Sequence, residues 1–116
     1  MTMTSPASPD PRSGRTFRSL SPSRQQLLTR LQRLNFGRVE WLEVHQGEPV
    51  LDESLAVVRE VKFGGDNGPR PESLLPDFPL KESQRALLAL FDQIQNGTIL
   101  NLTVKHGLPF HAEVAG

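Results

Sequence analysis

The chain has 116 residues, a formal charge of zero and no cysteine. Its length allows one domain with a modest core, its neutrality gives no global attraction to nucleic acid, and the lack of cysteine excludes disulfides and cysteine-based metal sites. No apolar run is long enough to cross a bilayer, and the start lacks the apolar stretch of a secretion signal, so we expect a soluble, cytoplasmic protein with no membrane contact.

Residues 1–22 are predicted to form a disordered tail. They are rich in Ser, Thr and Pro, and Phe17 and Leu20 are the only bulky apolar residues besides methionine. Such a segment buries too little surface to offset the entropy lost on ordering. The tail also carries three arginines, Arg12, Arg15 and Arg18. A second interpretation is therefore an arm that contacts phosphates or a partner.

The first predicted helix begins at Ser21 and Pro22 and ends near Asn35. A serine can cap a free backbone N–H, and proline suits the first helical position. Four leucines then recur at helical spacing, at Leu27, Leu28, Leu31 and Leu34. Gly37 is expected to adopt the left-handed conformation that lets the chain leave the helix.

A strand with alternating faces follows this helix. Strict alternation places Glu40, Leu42 and Val44 on the face toward the helices. The opposite face then holds Val39, Trp41, Glu43 and His45. A three-residue loop, His45-Gln46-Gly47, is expected to lead into the second strand.

The middle of the chain has its own pattern. Residues from Leu55 to Phe63 alternate again, which indicates either a long extension of the second strand or a separate strand after a bend at residues 52–54. Residues 64–79 are rich in glycine and proline and are predicted to form a loop. Leu74, Leu75 and Phe78 are expected to attach this loop to the body of the domain.

The sequence contains an internal repeat at an offset of sixty residues. Ser23 to Val50 align without a gap with Ser83 to Phe110, and eight positions are identical. Alternation in the second unit places Leu100, Leu102 and Val104 toward the helices. A three-residue loop, Lys105-His106-Gly107, would pair Val104 with Leu108 and Leu102 with Phe110.

Each unit, 23–63 and 80–116, is therefore predicted to fold as helix, strand, turn and strand. A lone hairpin under one helix is marginal in water, whereas two units can join their hairpins into one antiparallel sheet. The predicted fold class is α+β, with two α-β-β repeats forming a pseudo-twofold, two-layer domain and both helices on one face of the sheet.

Two runs of residues resemble a known family. Asn35-Phe36-Gly37-Arg38-Val39, followed by the turn His45-Gln46-Gly47-Glu48-Pro49-Val50, resembles the YezD-like small bacterial proteins. The run from Asn96-Gly97-Thr98-Ile99 to Lys105-His106-Gly107 is similar but lacks the aromatic residue before its glycine. The resemblance implies no catalytic residues. It suggests that single-unit members pair as homodimers and that this chain fuses such a pair into a monomeric pseudo-dimer or a weak homo-oligomer.

The motifs that could carry chemistry are incomplete. His106 is expected in a loop and His111 on the outer face, and with His45 they lack a convergent set of ligands. Asp66-Asn67-Gly68 lacks the flanking ligands of a calcium loop, and the glycines at 64, 65 and 68 precede a proline where a phosphate loop needs a helix. We predict no metal, no cofactor and no enzymatic activity.

Trp41 is the best candidate for recognition. The second unit has Asn101 at the equivalent position, so the shared core does not require a tryptophan there. Trp41 either anchors a partner or lies covered by the strand near residues 57–61 or the loop at 74–78. With Glu43 and His45 it forms the predicted partner-binding face of a protein-interaction or regulatory module. An exposed strand edge is an alternative contact surface for the unknown protein partner.

Nucleic-acid binding is the second functional hypothesis. The N-terminal forty residues are positively charged, although the whole chain is neutral. The candidate contacts are six arginines, Arg12, Arg15, Arg18, Arg24, Arg30 and Arg33. They would bind a phosphate backbone from the tail and the first helix.

Overall fold

The computed structural model describes residues 16–53, 55–61, 63–64 and 77–115. It contains two α-helices and five strands, namely α1 (Pro22–Leu34), β1 (Gly37–His45), β2 (Glu48–Val50), β3 (Ala56–Arg59), α2 (Glu82–Ile94), β4 (Gly97–Lys105) and β5 (Leu108–Val114). The strands form one antiparallel sheet in the order β2–β1–β4–β5, and β3 also pairs with β1. The helices pack on one face of this sheet. The predicted α+β class is confirmed.

The core lies between the two helices and the sheet. Ser21 caps α1 by accepting a hydrogen bond from the backbone N–H of Arg24 at 3.4 Å, as the sequence predicts. The buried apolar residues of the helices and central strands are Leu27, Leu28, Leu31, Leu34, Leu87, Leu88, Phe91, Val39, Leu42, Val44, Ile99, Leu102 and Val104. Each side chain of this size contributes about 1.5–3 kcal/mol when fully buried, so the two leucine stripes are a main source of stability.

The alternation within the central strands is broken, which corrects three predicted assignments, those of Val39, Glu40 and Leu100. Val39 lies in the core with Leu42 and Val44, although strict alternation places it on the opposite face. In β4 the core residue is Ile99, whereas Leu100 is exposed. The break falls at Glu40 and Trp41 in β1, where Trp41 has a positive φ of 61°. A residue with positive φ rotates the strand, so the side chains before and after Trp41 no longer follow one regular alternation between the two faces.

The hairpin loops contain two residues, and the predicted three-residue loops are wrong. His45 pairs with Glu48, and Lys105 pairs with Leu108. The loop residues are Gln46-Gly47 and His106-Gly107, with φ of 51°, 77°, 55° and 74°. Positive φ at both positions is the type I′ turn, whose twist matches that of the strands.

The short loops bring prolines and not aromatic residues into the core. Val44 pairs with Pro49 and Val104 pairs with Pro109, and both prolines are buried. Proline is tolerated here because β2 and β5 are edge strands, where a missing N–H removes no ladder hydrogen bond. Phe110, predicted to share the core face, is 64% exposed.

Each helix ends in a tight turn one residue after its last helical position. Asn35 and Gln95 have φ of 65° and 60°, so the left-handed residue after α1 is Asn35 and not Gly37. The N–H of Phe36 donates to the carbonyl of Leu34 at 2.7 Å, which is a γ-turn. Gly37 serves another purpose, because a Cβ there would overlap the carbonyl oxygen of Val58.

The segment after β2 forms a separate strand, one of the two alternatives that the sequence allows. The chain bends after Leu51 and returns as β3, which pairs Val57 with Val39 and Arg59 with Gly37. Most of the predicted loop at 64–79, including Leu74 and Leu75, lies outside the described residues. Phe78 is buried in the core, as predicted.

The folded body begins earlier than the predicted end of the tail at residue 22. Phe17 stacks on Phe78 with ring centroids 4.9 Å apart, and its N–H donates to the carbonyl of Phe78 at 2.9 Å. Thr16 pairs with Pro79 in an isolated bridge. Two apolar side chains, Phe17 and Leu20, are enough to dock this segment on the core. Residues 1–15 lie outside the described part of the chain.

The pairing of β1 with β4 follows the sixty-residue offset. Val39 pairs with Leu102. Ile99 lies sixty residues after Val39 and Leu42 lies sixty residues before Leu102, and these two residues also pair with each other. The same holds for two turn contacts, from the N–H of Gly47 to the carbonyl of Gln95 and from Gly107 to Asn35. The internal repeat stays a prediction, and this register is the one that a twofold arrangement requires.

Candidate functional site

The side of the sheet away from the helices carries the predicted recognition residues. We call this side the open face and define it by the outward residues of the two central strands, Arg38, Glu40, Trp41, Glu43 and His45 in β1 and Thr98, Leu100, Asn101 and Thr103 in β4. Within the described ranges, neither helix packs on it, because both helices contribute to the core on the other side.

Trp41 lies exposed near the centre of the open face. Its residue surface is 58% accessible, so of the two alternatives, an exposed anchor or a covered side chain, the described residues agree with the exposed one. Its φ of 61° is unusual for a bulky residue and costs of the order of 1–3 kcal/mol. The backbone therefore carries strain at the point where the largest side chain of the protein is held in solvent.

Leu100 lies across from Trp41. The register pairs Glu40 with Asn101 and Leu42 with Ile99, which leaves one residue on each strand between those pairs, Trp41 and Leu100. Leu100 is 39% exposed. A register shift between Ile99 and Asn101 places Leu100 at a bulge relative to β5. Two irregularities, one on each central strand, thus place two large apolar side chains on the open face.

Polar and charged side chains surround this apolar centre. Arg38 Nε donates to Glu40 Oε2 at 2.8 Å, and Asn101 Nδ2 donates to Thr103 Oγ1 at 3.3 Å. Asn101 Oδ1 is buried without a hydrogen-bond partner, which leaves an acceptor unsatisfied beside the apolar centre. Glu43 and His45 are exposed further along β1, as predicted. An apolar centre inside a polar ring is the usual composition of a protein-binding surface.

Four of the six arginines of the nucleic-acid hypothesis lie among the described residues, and their surroundings differ. Arg12 and Arg15 lie outside the described residues. Arg18 is in the docked segment, where its backbone N–H donates to Asp77 Oδ1 at 2.9 Å, while Arg30 and Arg33 are exposed on α1. The sixth, Arg24, has a different role.

Arg24 is a structural residue of the helix layer. Its side chain is only 14% exposed, and Nη2 donates to Asp92 Oδ1 at 2.6 Å and to the carbonyl of Gly47 at 2.8 Å. Its guanidinium also lies 5.9 Å from the ring centroid of Phe91. The guanidinium of Arg24 is thus paired within the protein, so it is not available to a phosphate backbone.

Glu48 joins the same cluster at the start of α1. Ser21 and Ser23 both donate hydrogen bonds to Glu48 Oε1, the second at 2.6 Å. Burial alone would raise the pKa of Glu48, but the two serine hydroxyls and the charge of Arg24 outweigh it and hold that pKa below its ordinary value. The carboxylate therefore stabilises the first turn of α1, where a negative charge also meets the favourable end of the helix dipole.

The structure also forms a basic cleft that sequence analysis does not identify. Three cationic side chains, Arg38, Arg59 and Lys105, and one acidic side chain, Glu60, line a cleft of about 400 Å³ at one end of β3, β1 and β4. Each of the three cations has a partner within the protein: Glu40 for Arg38, the carbonyl of Leu34 at 3.2 Å for Arg59, and the Phe110 ring at 4.1 Å for Lys105. The three come from separate segments, so no local motif could reveal the cleft.

An apolar groove of about 190 Å³ lies between α2 and β5. Its lining includes Leu87, Leu90, Pro109 and Ala112. The lining is mainly apolar, and no set of titratable groups converges there. Across the part of the chain that the structure describes, no group of three or more His, Asp or Glu side chains is arranged to hold a metal ion. His106 lies in its turn and His111 is exposed opposite Thr103, as predicted.

Comparison with known proteins adds no relative. No protein-family model matches the chain, and neither curated proteins nor solved structures give a match. The resemblance to the YezD-like proteins therefore stays a prediction. Neither of the helices among the described residues has the length and apolarity that a membrane crossing requires.

Proposed function

We propose that this chain is a non-catalytic protein-interaction module and that its recognition surface is the open face around Trp41. The proposal gives Trp41 the role of anchor, with Leu100 beside it and Glu43 and His45 at the polar margin. Regulation of the bound protein is the activity that such a module would perform.

The observation that carries the proposal is the conformation of Trp41. A tryptophan that served only stability would be expected in the core with a relaxed backbone, but this one is 58% exposed with φ at 61°. Strained backbone persists where the rest of the structure enforces it, and such strain is concentrated at binding and catalytic sites. Exposed tryptophan is also among the residues most enriched in binding hot spots.

The surroundings support the same proposal. Leu100 enlarges the apolar centre, and the charged residues Arg38, Glu40 and Glu43 lie around it on the neighbouring strand. A partner that covers the centre would exclude water from Trp41. The charges at the margin would determine the orientation of the partner more than its affinity.

The test is affinity capture from a lysate with tagged wild type and tagged Trp41→Asn. Asparagine is the residue at the equivalent position of the second unit, and it tolerates a positive φ. We expect the variant to keep its fold, measured by circular dichroism, and to lose about tenfold or more of the retained partner, since hot-spot residues contribute about 2 kcal/mol or more.

Phe63→Ala provides the matched control, because Phe63 is an aromatic residue that is 98% exposed and does not belong to the open face. It should retain the same partner as wild type. Equal capture by wild type and Trp41→Asn would contradict the proposal. Unfolding of Trp41→Asn would show that Trp41 is needed for the fold and would equally remove its assigned role.

A further inference from the structure

We infer that the partner of the open face presents a cationic segment, with arginine or lysine side chains, to Trp41 and to the carboxylates around it. The inference rests on the proposed function and deepens it by giving the chemistry of the partner. It depends on the positions of these carboxylates, on the cations nearest to them and on the ring of Trp41.

Carboxylates surround the apolar centre of the open face. Glu40 and Glu43 lie on β1 on either side of Trp41. Asn101 of β4 pairs with Glu40 on one side and with Glu113 of β5 on the other. Because residues that pair directly across strands share a face, the Glu113 side chain lies on the same side of the sheet. Strands spaced about 4.8 Å apart put Glu113 about 10 Å from Glu40, so one bound segment can reach all three carboxylates.

Two of these carboxylates have no countercharge. Glu40 Oε2 accepts a hydrogen bond from Arg38 Nε at 2.8 Å, so these two charges compensate each other. The exposed side chains of Glu43 and Glu113 form no ion pair or hydrogen bond within the described part of the chain. Two uncompensated negative charges therefore lie beside Trp41.

The other cations on this side of the sheet do not neutralise these charges. Lys105 lies five residues beyond Leu100 on β4, about 16 Å along the strand and about twice the screening length at physiological salt. Arg59 donates to a carbonyl at the end of α1 at 3.2 Å. His45 and His111 count as neutral in the formal charge at pH 7. The centre of the open face therefore stays acidic.

The ring of Trp41 is suited to a cation. Among the described residues, cations lie over the rings of Phe91 and Phe110, but none lies over Trp41. Tryptophan attracts cations more strongly than phenylalanine does. A guanidinium of the partner can stack on the indole while its N–H groups donate to a carboxylate beside the ring. Glu43, two residues further along β1, is such a carboxylate.

Other classes of partner match the open face less well. A wholly apolar surface would cover Glu43 and Glu113 without compensating their charges, and removing a charge from water without a partner is costly. An acidic surface would meet charges of its own sign. A cationic segment interacts favourably with both the ring and the carboxylates.

The test compares the binding of two fluorescein-labelled peptides to the full chain by fluorescence anisotropy. One peptide alternates arginine with glycine, and the other alternates glutamate with glycine. The arginine peptide should bind and the glutamate peptide should not. Because Trp41 is the only tryptophan of the chain, its own emission should change with the same midpoint when the unlabelled arginine peptide is added. Added salt should weaken the binding, since exposed charges are screened.

The double variant Glu43→Gln/Glu113→Gln should raise the dissociation constant of the arginine peptide about fivefold or more, because two surface charge pairs are lost. Trp41→Asn should weaken binding by a similar factor. Glu82→Gln is the matched control, since it makes the same change of charge at an exposed residue of α2, on the other side of the sheet. It should bind the peptide as wild type does. Circular dichroism of each variant controls for the fold.

Equal binding of the arginine and glutamate peptides would overturn the inference. So would binding of the arginine peptide that the double variant leaves unchanged or that Glu82→Gln reduces as much. A lysate partner that depends on Trp41 but is retained equally by the double variant would leave the proposed function standing and remove only the cationic chemistry. Capture and peptide binding that are both indifferent to Trp41 would remove both.

Discussion

Arg24 Nη2 lies 2.6 Å from Asp92 Oδ1, an ion pair that joins the first turn of α1 to the last turn of α2. The two partners differ in exposure, at 14% for the arginine side chain and 64% for the aspartate. The arginine also bonds the carbonyl of Gly47, which the aspartate does not share. The ion pair is therefore asymmetric, and substitution of Arg24 should lower the stability of the fold more than substitution of Asp92.

Arg24→Ala is expected to lower the free energy of unfolding by about 2 kcal/mol, because it removes charged hydrogen bonds in a largely buried setting. Asp92→Asn should cost about 0–1 kcal/mol, the usual value for an exposed ion-pair partner. Urea denaturation of both variants measures the difference. Equal losses from the two substitutions would show that the ion pair alone, and not the contact with Gly47, determines the contribution of Arg24.

Gly37→Ala and Gly97→Ala form a matched pair at equivalent positions. A methyl group at Gly37 would overlap the backbone carbonyl of Val58, and its φ of 156° lies at the limit of what other residues adopt. At Gly97 the close atom is Ile94 Cγ2 at 2.9 Å, a side-chain methyl group that has to give way, whereas at Gly37 the obstacle is fixed backbone. We expect a loss of at least about 2 kcal/mol at Gly37 and about 1 kcal/mol or less at Gly97. Thermal unfolding compares them directly, and a larger loss at Gly97 would contradict the described approach of β3 to Gly37.

Glu48→Gln tests the cluster at the start of α1 through its pH dependence. Because the pKa of Glu48 is lower in the folded protein than its ordinary value of 4.5, the carboxylate stabilises the fold above that pH. This contribution is lost as the pH falls through the folded pKa. The variant should therefore be less stable than wild type near neutrality, and the difference should shrink in acid.

Ser23→Ala is the companion variant for Glu48. It removes one of the two hydroxyl donors and leaves the carboxylate, so its pH-dependent difference should have the same sign and a smaller size. Denaturant unfolding at several pH values follows both variants. A difference between Glu48→Gln and wild type that does not change with pH would mean that the carboxylate is not selectively stabilised in the folded state.

Trp41→Gly tests the strain at the centre of the open face. Glycine adopts positive φ without a steric cost, so the substitution relieves strain of the order of 1–3 kcal/mol, against which it adds the entropy of a flexible residue, about 0.5–1 kcal/mol. The expected result is a free energy of unfolding equal to or above that of wild type. Chemical denaturation measures it, and a clear loss of stability would show that the ring supports the core.

Two truncations test where the folded body begins. A chain that starts at Thr16 keeps the stack of Phe17 on Phe78, whereas one that starts at Ser21 loses Phe17 and Leu20. The shorter chain should be less stable by about 2 kcal/mol, since two partly buried apolar side chains are removed. Equal stability of the two chains would instead support the predicted end of the tail at residue 22.

The features that sequence predicts correctly are those encoded by neighbouring residues. Ser21 and Pro22 mark the start of α1, and the leucine spacing identifies its buried face, because capping and helical period depend only on positions a few residues apart. The exposure of Trp41 could not be decided in the same way. It depends on whether a distant strand or loop covers the open face.

The errors have a common cause in the assumption of regular strands. A positive φ at Trp41 interrupts the alternation of β1, and a register shift between Thr103 and Val104 interrupts the pairing of β5. The irregularity at Trp41 puts Val39 on the same face as Leu42, while the two-residue turn places Pro109 in the core and the register shift that follows leaves Phe110 outside it. The pattern of polar and apolar residues in a sequence does not reveal a positive φ or a register shift at a single residue.

The edge strands have a consequence for behaviour at high concentration. The edge formed by β2 and β3 is interrupted by the bend after Leu51 and contains Pro49, while β5 contains Pro109 and pairs with β4 through two register shifts. Neither edge offers the long, flat ladder on which another strand could add. Sheets of this shape do not extend from one molecule to the next, so the protein should resist fibril formation even when it is crowded, and its unpaired strands are poor templates for amyloid growth.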